Sequence, residues 1–180
     1  MGLVSLLTYA TFMDPRIAMQ YNLLGPNLVW ANGWQRFFGM KDATSDINTV
    51  FKTGEIPHIA MPVVIPSENY RFNGVIYRGI DEAVLNYIDA FEKGSNLFSA
   101  EVDPALVTLF GDNTPWQSGG SGLFMYTTKP DFLTENINPS IAALYNSREA
   151  ARVHGDEFRR AYEETTFLAD RITKLEGCGF

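Results

Sequence analysis

Residues 69–78 read NYRFNGVIYR, with Asn73-Gly74 standing between two alternating runs. Asn-Gly in that setting is the strongest short-range signal for a two-residue hairpin, because both central residues of a type I′ turn need positive φ. Such a turn pairs Phe72 with Val75 and Tyr70 with Tyr77 on one face. Residues 123–128 (LFMYTT) read as a further strand, entered from the glycine cluster Ser118, Gly119, Gly120, Ser121 and Gly122. Upstream, residues 56–66 (IPHIAMPVVIP) are apolar but interrupted by Pro57, Pro62 and Pro66. Proline removes ladder donors, so this segment is expected as extended edge or polyproline-like chain rather than a central strand.

The rest of the pattern is helical. Ile80, Val84, Ile88 and Phe91 recur at helical spacing over residues 80–93, with Lys93 in the last turn and Gly94 beyond. A shorter helix over 46–53 uses Ile47, Val50 and Phe51. Asp14-Pro15, Asp103-Pro104 and Asn138-Pro139 each resemble an N-cap followed by proline at the first helical position. Trp30, Trp34, Phe37 and Phe38 also sit at helical spacing, which predicts two short helical pieces broken at Gly33; a second hairpin at Asn32-Gly33 is the alternative. Residues 139–175 carry Ile141, Leu144 and Tyr145, then Phe158, Tyr162, Leu168, Ile172 and Leu175, a helix with one packed face. Gly155 between the two sets predicts a kink or break. The expected fold is therefore α+β: a mostly helical single domain with a small antiparallel hairpin or sheet and a long C-terminal amphipathic helix. Residues 1–138 form the mixed core with an apolar N-terminal helix, and 139–176 a helical arm of the same domain.

Composition sets bounds. The chain has 180 residues, 46% hydrophobic and 19% charged, enough to build a core. A net charge of −7 argues against nucleic acid as the main partner, since that affinity comes from clustered Lys and Arg. The apolar run 2–13 (GLVSLLTYATFM) is too short for a bilayer span and lacks a basic flank, so neither a transmembrane segment nor a recognisable signal peptide is expected. One cysteine excludes a disulfide framework, and with two histidines it excludes the common zinc sites.

Candidate chemistry is sparse. The SGGSG cluster lacks the lysine of a phosphate loop, and around Ser121 the nucleophile-elbow pattern fails at Leu123. His58, His154 and Cys178 stand apart from any base or ligand set in sequence. Arg148, Arg152, Arg159 and Arg160 are interleaved with Glu149, Asp156, Glu157, Glu163 and Glu164, a solvated helix face. No residue is singled out as catalytic, cofactor-binding or metal-ligating. Many of the 24 aromatics (3 Trp, 8 Tyr, 13 Phe) sit in loop-like segments, and interfaces favour aromatics. Trp30, Trp34, Phe37 and Phe38 are candidate interaction residues on this ground, and Phe158, Tyr162, Leu168 and Ile172 join them as the face that the C-terminal helix is expected to bury partly against another chain.

These readings favour a non-enzymatic structural subunit of a larger assembly, a virion component such as a phage capsid or head–tail neck protein. Its partners would be other subunits or copies of itself, without cofactors, in the virion or the cytoplasm. The alternatives are an accessory subunit of an organellar membrane complex, or a small enzyme or ligand-binding domain with a pocket near Ser118 to Gly122.

Overall fold

The computed structural model describes residues 2–41 and 56–180; the helix expected over 46–53 lies outside them. Two long antiparallel strands organise the molecule, β2 (Leu24–Lys41) and β3 (His58–Ile80), with register running from Leu24 opposite Arg78 to Lys41 opposite Ala60. β3 passes straight through Asn73-Gly74, which lie opposite Trp30 and Val29, so there is no hairpin turn there. The reason is packing. A Cβ on Gly74 would sit 2.6 Å from the Thr8 carbonyl oxygen and 2.9 Å from Leu7 Cδ1, so glycine serves close approach of the neighbouring strand.

That neighbour is β1 (Val4–Thr8), antiparallel to the far end of β3 and parallel to β6 (Leu123–Thr127). With β4 (Phe98–Glu101) and β5 (Val107–Leu109), the order across the sheet is β4-β6-β1-β3-β2-β5. Two short strands, β7 (Asn138–Pro139) and β8 (Thr166–Phe167), pair in parallel with β3 and β2. The apolar N-terminal run is thus a central strand rather than a helix. Leu6 enters one core cluster and Leu7 another on the opposite face, as expected of a strand covered on both sides.

Residues 27–40 are strand as well, not helical pieces. Gly33, at φ 83°, marks a register shift where Asn32 faces Arg71 and Trp34 faces Pro66. Pro62 and Pro66 are tolerated within β3 because of their parity. Val64 lies between them, and its carbonyl accepts from Thr127 Oγ1 at 2.6 Å, on the side away from β2. The missing proline donors face that same side, where no ladder bond to β2 is lost.

Four helices complete the described residues: α1 (Pro15–Ala18), α2 (Glu82–Lys93), α3 (Ile141–Arg152) and α4 (Asp156–Glu164). Asp14 caps α1 through the Arg16 amide at 2.9 Å, and Asp81 caps α2 through the Val84 amide at 2.9 Å. At the other two proline sites the expectation changes. Asp103 caps only a 3₁₀ turn leading into β5, and Asn138-Pro139 is strand, with Ser140 as the cap of α3. Gly155, at φ 103°, separates α3 from α4.

The helix ends at Glu164 rather than near Leu175. Residues 166–175 instead fold back on themselves: Leu168 N–H donates to the Thr173 carbonyl at 2.8 Å and Leu175 N–H to that of Thr166 at 2.7 Å. The β-branched pair Thr165-Thr166 starts this turn-back, and the Asp170 carboxylate accepts the Ile172 and Thr173 amides at its tip. The fold is therefore a sheet-dominated mixed α+β architecture of eight strands and four helices among the described residues, not a mostly helical domain.

Candidate functional site

β1 ends in a tight turn, a 3₁₀ segment over Thr11–Met13, whose carbonyl groups are tied from behind. Tyr77 on β3 donates its hydroxyl to the Phe12 carbonyl at 2.8 Å and to that of Met13 at 3.3 Å. His154, between α3 and α4, donates from Nε2 to the Met13 carbonyl at 2.6 Å. Arg36 on β2 donates from Nη1 to the Tyr9 carbonyl at 3.2 Å. The first amides of such a turn have no partner inside it, so the Thr11 and Phe12 N–H groups are the turn's available donors.

The turn forms one wall of a cavity of about 350 Å³. Its opposite wall is the C-terminal end of α2, where Ile88 is buried and Glu92 reaches the cavity half-buried. Burial pushes the Glu92 carboxyl up to about 7. Tyr9 and Tyr126 line the same cavity, and burial raises both phenols; the Glu92 charge adds to this at Tyr9, and at Tyr126 the Asp89 hydrogen bond and charge add more than Glu92 does. Tyr126 on β6 donates to Asp89, one helical turn before Glu92, which fixes the phenol ring against α2. A carboxyl that titrates near neutrality can accept and return a proton within one reaction cycle. The remaining walls are mostly apolar, with Phe12, Ile17, Tyr21, Phe91 and Leu97 among them, and Lys41 and Ser95 are the polar exceptions away from the turn.

Ser118 to Gly122 do not line this cavity; they lead into the opposite, N-terminal end of β6, where Ser121 Oγ donates to the Ser118 carbonyl at 2.8 Å and contacts Ser5 Oγ at 3.2 Å. Of the candidate interaction residues, Trp34, Phe37 and Phe38 are buried in three different core clusters. Trp30 is half-buried, with the Arg71 guanidinium 3.9 Å from its ring centre. Phe158 and Tyr162 are buried under α4, Leu168 packs at the edge of the main core, and Ile172 is 81% exposed at the turn tip. Glu92 escaped the sequence reading. Its signal was a carboxyl four residues after the inward Ile88, on the apolar stripe rather than opposite it. Among the described residues no group of three His, Cys, Asp or Glu side chains is placed to hold a metal, and no helix is long and apolar enough to cross a membrane.

The sequence matches no protein-family model and no curated protein. The fold does have solved relatives. A γ-glutamyl cyclotransferase superimposes with a TM-score of 0.64 over 91% of this chain and 88% of its own, at 13% identity. An uncharacterized human protein gives 0.64 over 92% and 89% at 14% identity. A yeast γ-glutamyl cyclotransferase specific to glutathione gives 0.60 over 92% and 96% at 13% identity. This shared fold overturns the reading of a virion structural subunit.

Proposed function

We propose that the chain is a small enzyme that cyclises γ-glutamyl amides, with Glu92 as its acid–base group. In this reaction the α-amine of the glutamyl group attacks its own γ-carbonyl carbon, a C–N bond closes the five-membered lactam, and the original amide C–N bond breaks. Glu92 takes the proton from the attacking nitrogen and returns it to the departing amine, so the products are 5-oxoproline and a free amine. In this reading the Thr11 and Phe12 amides, at the start of the turn that lines the cavity, receive the developing oxyanion, as donor pairs do for acyl-transfer intermediates.

The observation that carries this reading is Glu92, a carboxyl held at about 7 in a cavity beside the β1 turn. The shared fold with γ-glutamyl cyclotransferases supports the choice of reaction. The test is to incubate purified protein with a set of γ-glutamyl amides and follow 5-oxoproline by mass spectrometry. Turnover that falls by about 10²–10⁴ in Glu92→Gln is expected. Folded protein that yields no 5-oxoproline from any of them overturns the proposal.

A further inference from the structure

Taking the cyclisation chemistry as its premise, we infer that the departing amine is apolar and ring-bearing, and that Phe12, Tyr21 and Phe91 form its subsite. The first argument is charge. Lys41 and Glu92 are the only charged side chains among the described residues that line the cavity. A γ-glutamyl group brings one carboxylate and one amine of its own, and these two residues answer them. An amino-acid or dipeptide leaving group carries a second carboxylate, for which no cation remains among those residues. An unpaired carboxylate in such surroundings is strongly disfavoured.

The second argument is the shape and composition of the rest of the cavity. Phe12 and Tyr21 meet edge-on with ring centres 5.1 Å apart, and Tyr21 in turn stacks toward Tyr87 on α2 at 6.0 Å. Phe91, one residue before Glu92, is 56% exposed at the same mouth. Large exposed aromatics beside a cavity are unusual unless something covers them, and a bound ring would do so. A volume of about 350 Å³ is at the small end of ligand sites and holds a γ-glutamyl group with one ring, so the choice among leaving groups rests on charge and on these rings.

The experiment compares kcat/KM for γ-glutamyl phenethylamide with that for glutathione and γ-glutamylglycine. The aryl amide should be favoured at least about tenfold. Phe91→Lys, which adds a cation at an exposed helical position, should narrow that ratio by improving the carboxylate-bearing substrates. Equal or better turnover of glutathione by the wild type overturns this inference and leaves the cyclisation reading intact, and so does an unchanged ratio in Phe91→Lys. Absence of turnover with every substrate overturns the cyclisation reading instead. The subsite is then judged by calorimetry with glutaryl phenethylamide against glutarylglycine, which lack the attacking amine. Equal affinity for the two overturns the subsite, and tighter binding of the aryl amide supports it.

Discussion

Asn73 and Arg36 lock together in the middle of the sheet: Nη2 of Arg36 donates to Asn73 Oδ1 at 2.8 Å and Nη1 to its carbonyl at 2.7 Å. The Asn73 amide then donates to the Phe158 carbonyl at 2.8 Å, which ties β3 to α4. Arg36 is fully buried, makes no carboxylate ion pair among the described residues, and donates to neutral oxygens, including the Tyr9 carbonyl and Thr166 Oγ1. Its guanidinium lies 4.3 Å from the Tyr162 ring centre. Burial lowers its pKa to about 10, so it remains charged at neutral pH. One side chain therefore joins both long strands, the turn of the candidate site and the C-terminal segment.

Arg36→Lys should accordingly destabilise the protein by about 2–4 kcal/mol, because an ammonium cannot reach the forked set of acceptors and leaves several of them buried without donors. Urea unfolding measures this. A loss below about 0.5 kcal/mol would show that the network is dispensable. The same variant loosens the Tyr9 carbonyl, so any 5-oxoproline formation should fall beyond what the lost stability explains at low temperature.

Gly74→Ala should cost about 1–3 kcal/mol, because its Cβ meets the Thr8 carbonyl and Leu7 Cδ1 and β1 must shift away. Backbone φ plays no part, since Gly74 is extended within β3 rather than left-handed. Amide hydrogen exchange should show the loss concentrated in β1. Uniform protection with unchanged stability would mean that β1 is not held this closely.

Helix α2 and the break at Gly155 were legible from spacing and from glycine alone, since both are local. What sequence could not show was anything decided across strands. Asn73-Gly74 carries an excellent turn signal, yet its polar atoms are consumed by Arg36 and Phe158, residues 37 and 85 positions away. Trp30, Trp34, Phe37 and Phe38 fit a helix by spacing, and only pairing with β3 and the shift at Gly33 make them strand. The catalytic candidate was partly legible, because Glu92 interrupts an apolar stripe. Its cavity was not, because Tyr9 and Tyr126 arrive from the turn after β1 and from β6, separated by most of the chain.

Stability should respond to pH through Glu92. Its folded pKa of about 7 lies above the ordinary 4.5, so the folded state holds an extra proton between those values. The contribution is fully present below about 4.5, is lost as pH rises through 7, and above that the ionised carboxylate opposes folding. Glu92→Gln should therefore match the wild type near pH 4.5 and be more stable at pH 8, by about 1–2 kcal/mol once solvent screening at a half-buried site is allowed for. Parallel melting curves at the two pH values check this. A variant no more stable at pH 8 would mean that the carboxylate is well solvated in the cavity.

Phe158→Ala and Ile172→Ala separate the observed C-terminal segment from one long amphipathic helix. On a helix running to Leu175 both residues would share the packed stripe and cost similar amounts. In the structure Phe158 is buried on α4, with Phe110 and His154 rings at 4.9 and 5.2 Å, and Ile172 points outward from a turn held by Asp170. Truncating Phe158 should cost about 3–5 kcal/mol, the range for a large ring removed from a packed core. Truncating Ile172 should change stability by less than about 0.5 kcal/mol. Asp170→Ala, which removes the acceptor for two amides of that turn, should fall between them at about 1 kcal/mol. Urea melts of the three variants give the order directly, and equal losses at Phe158 and Ile172 would place both side chains on one buried helical face and contradict the turn-back at 166–175.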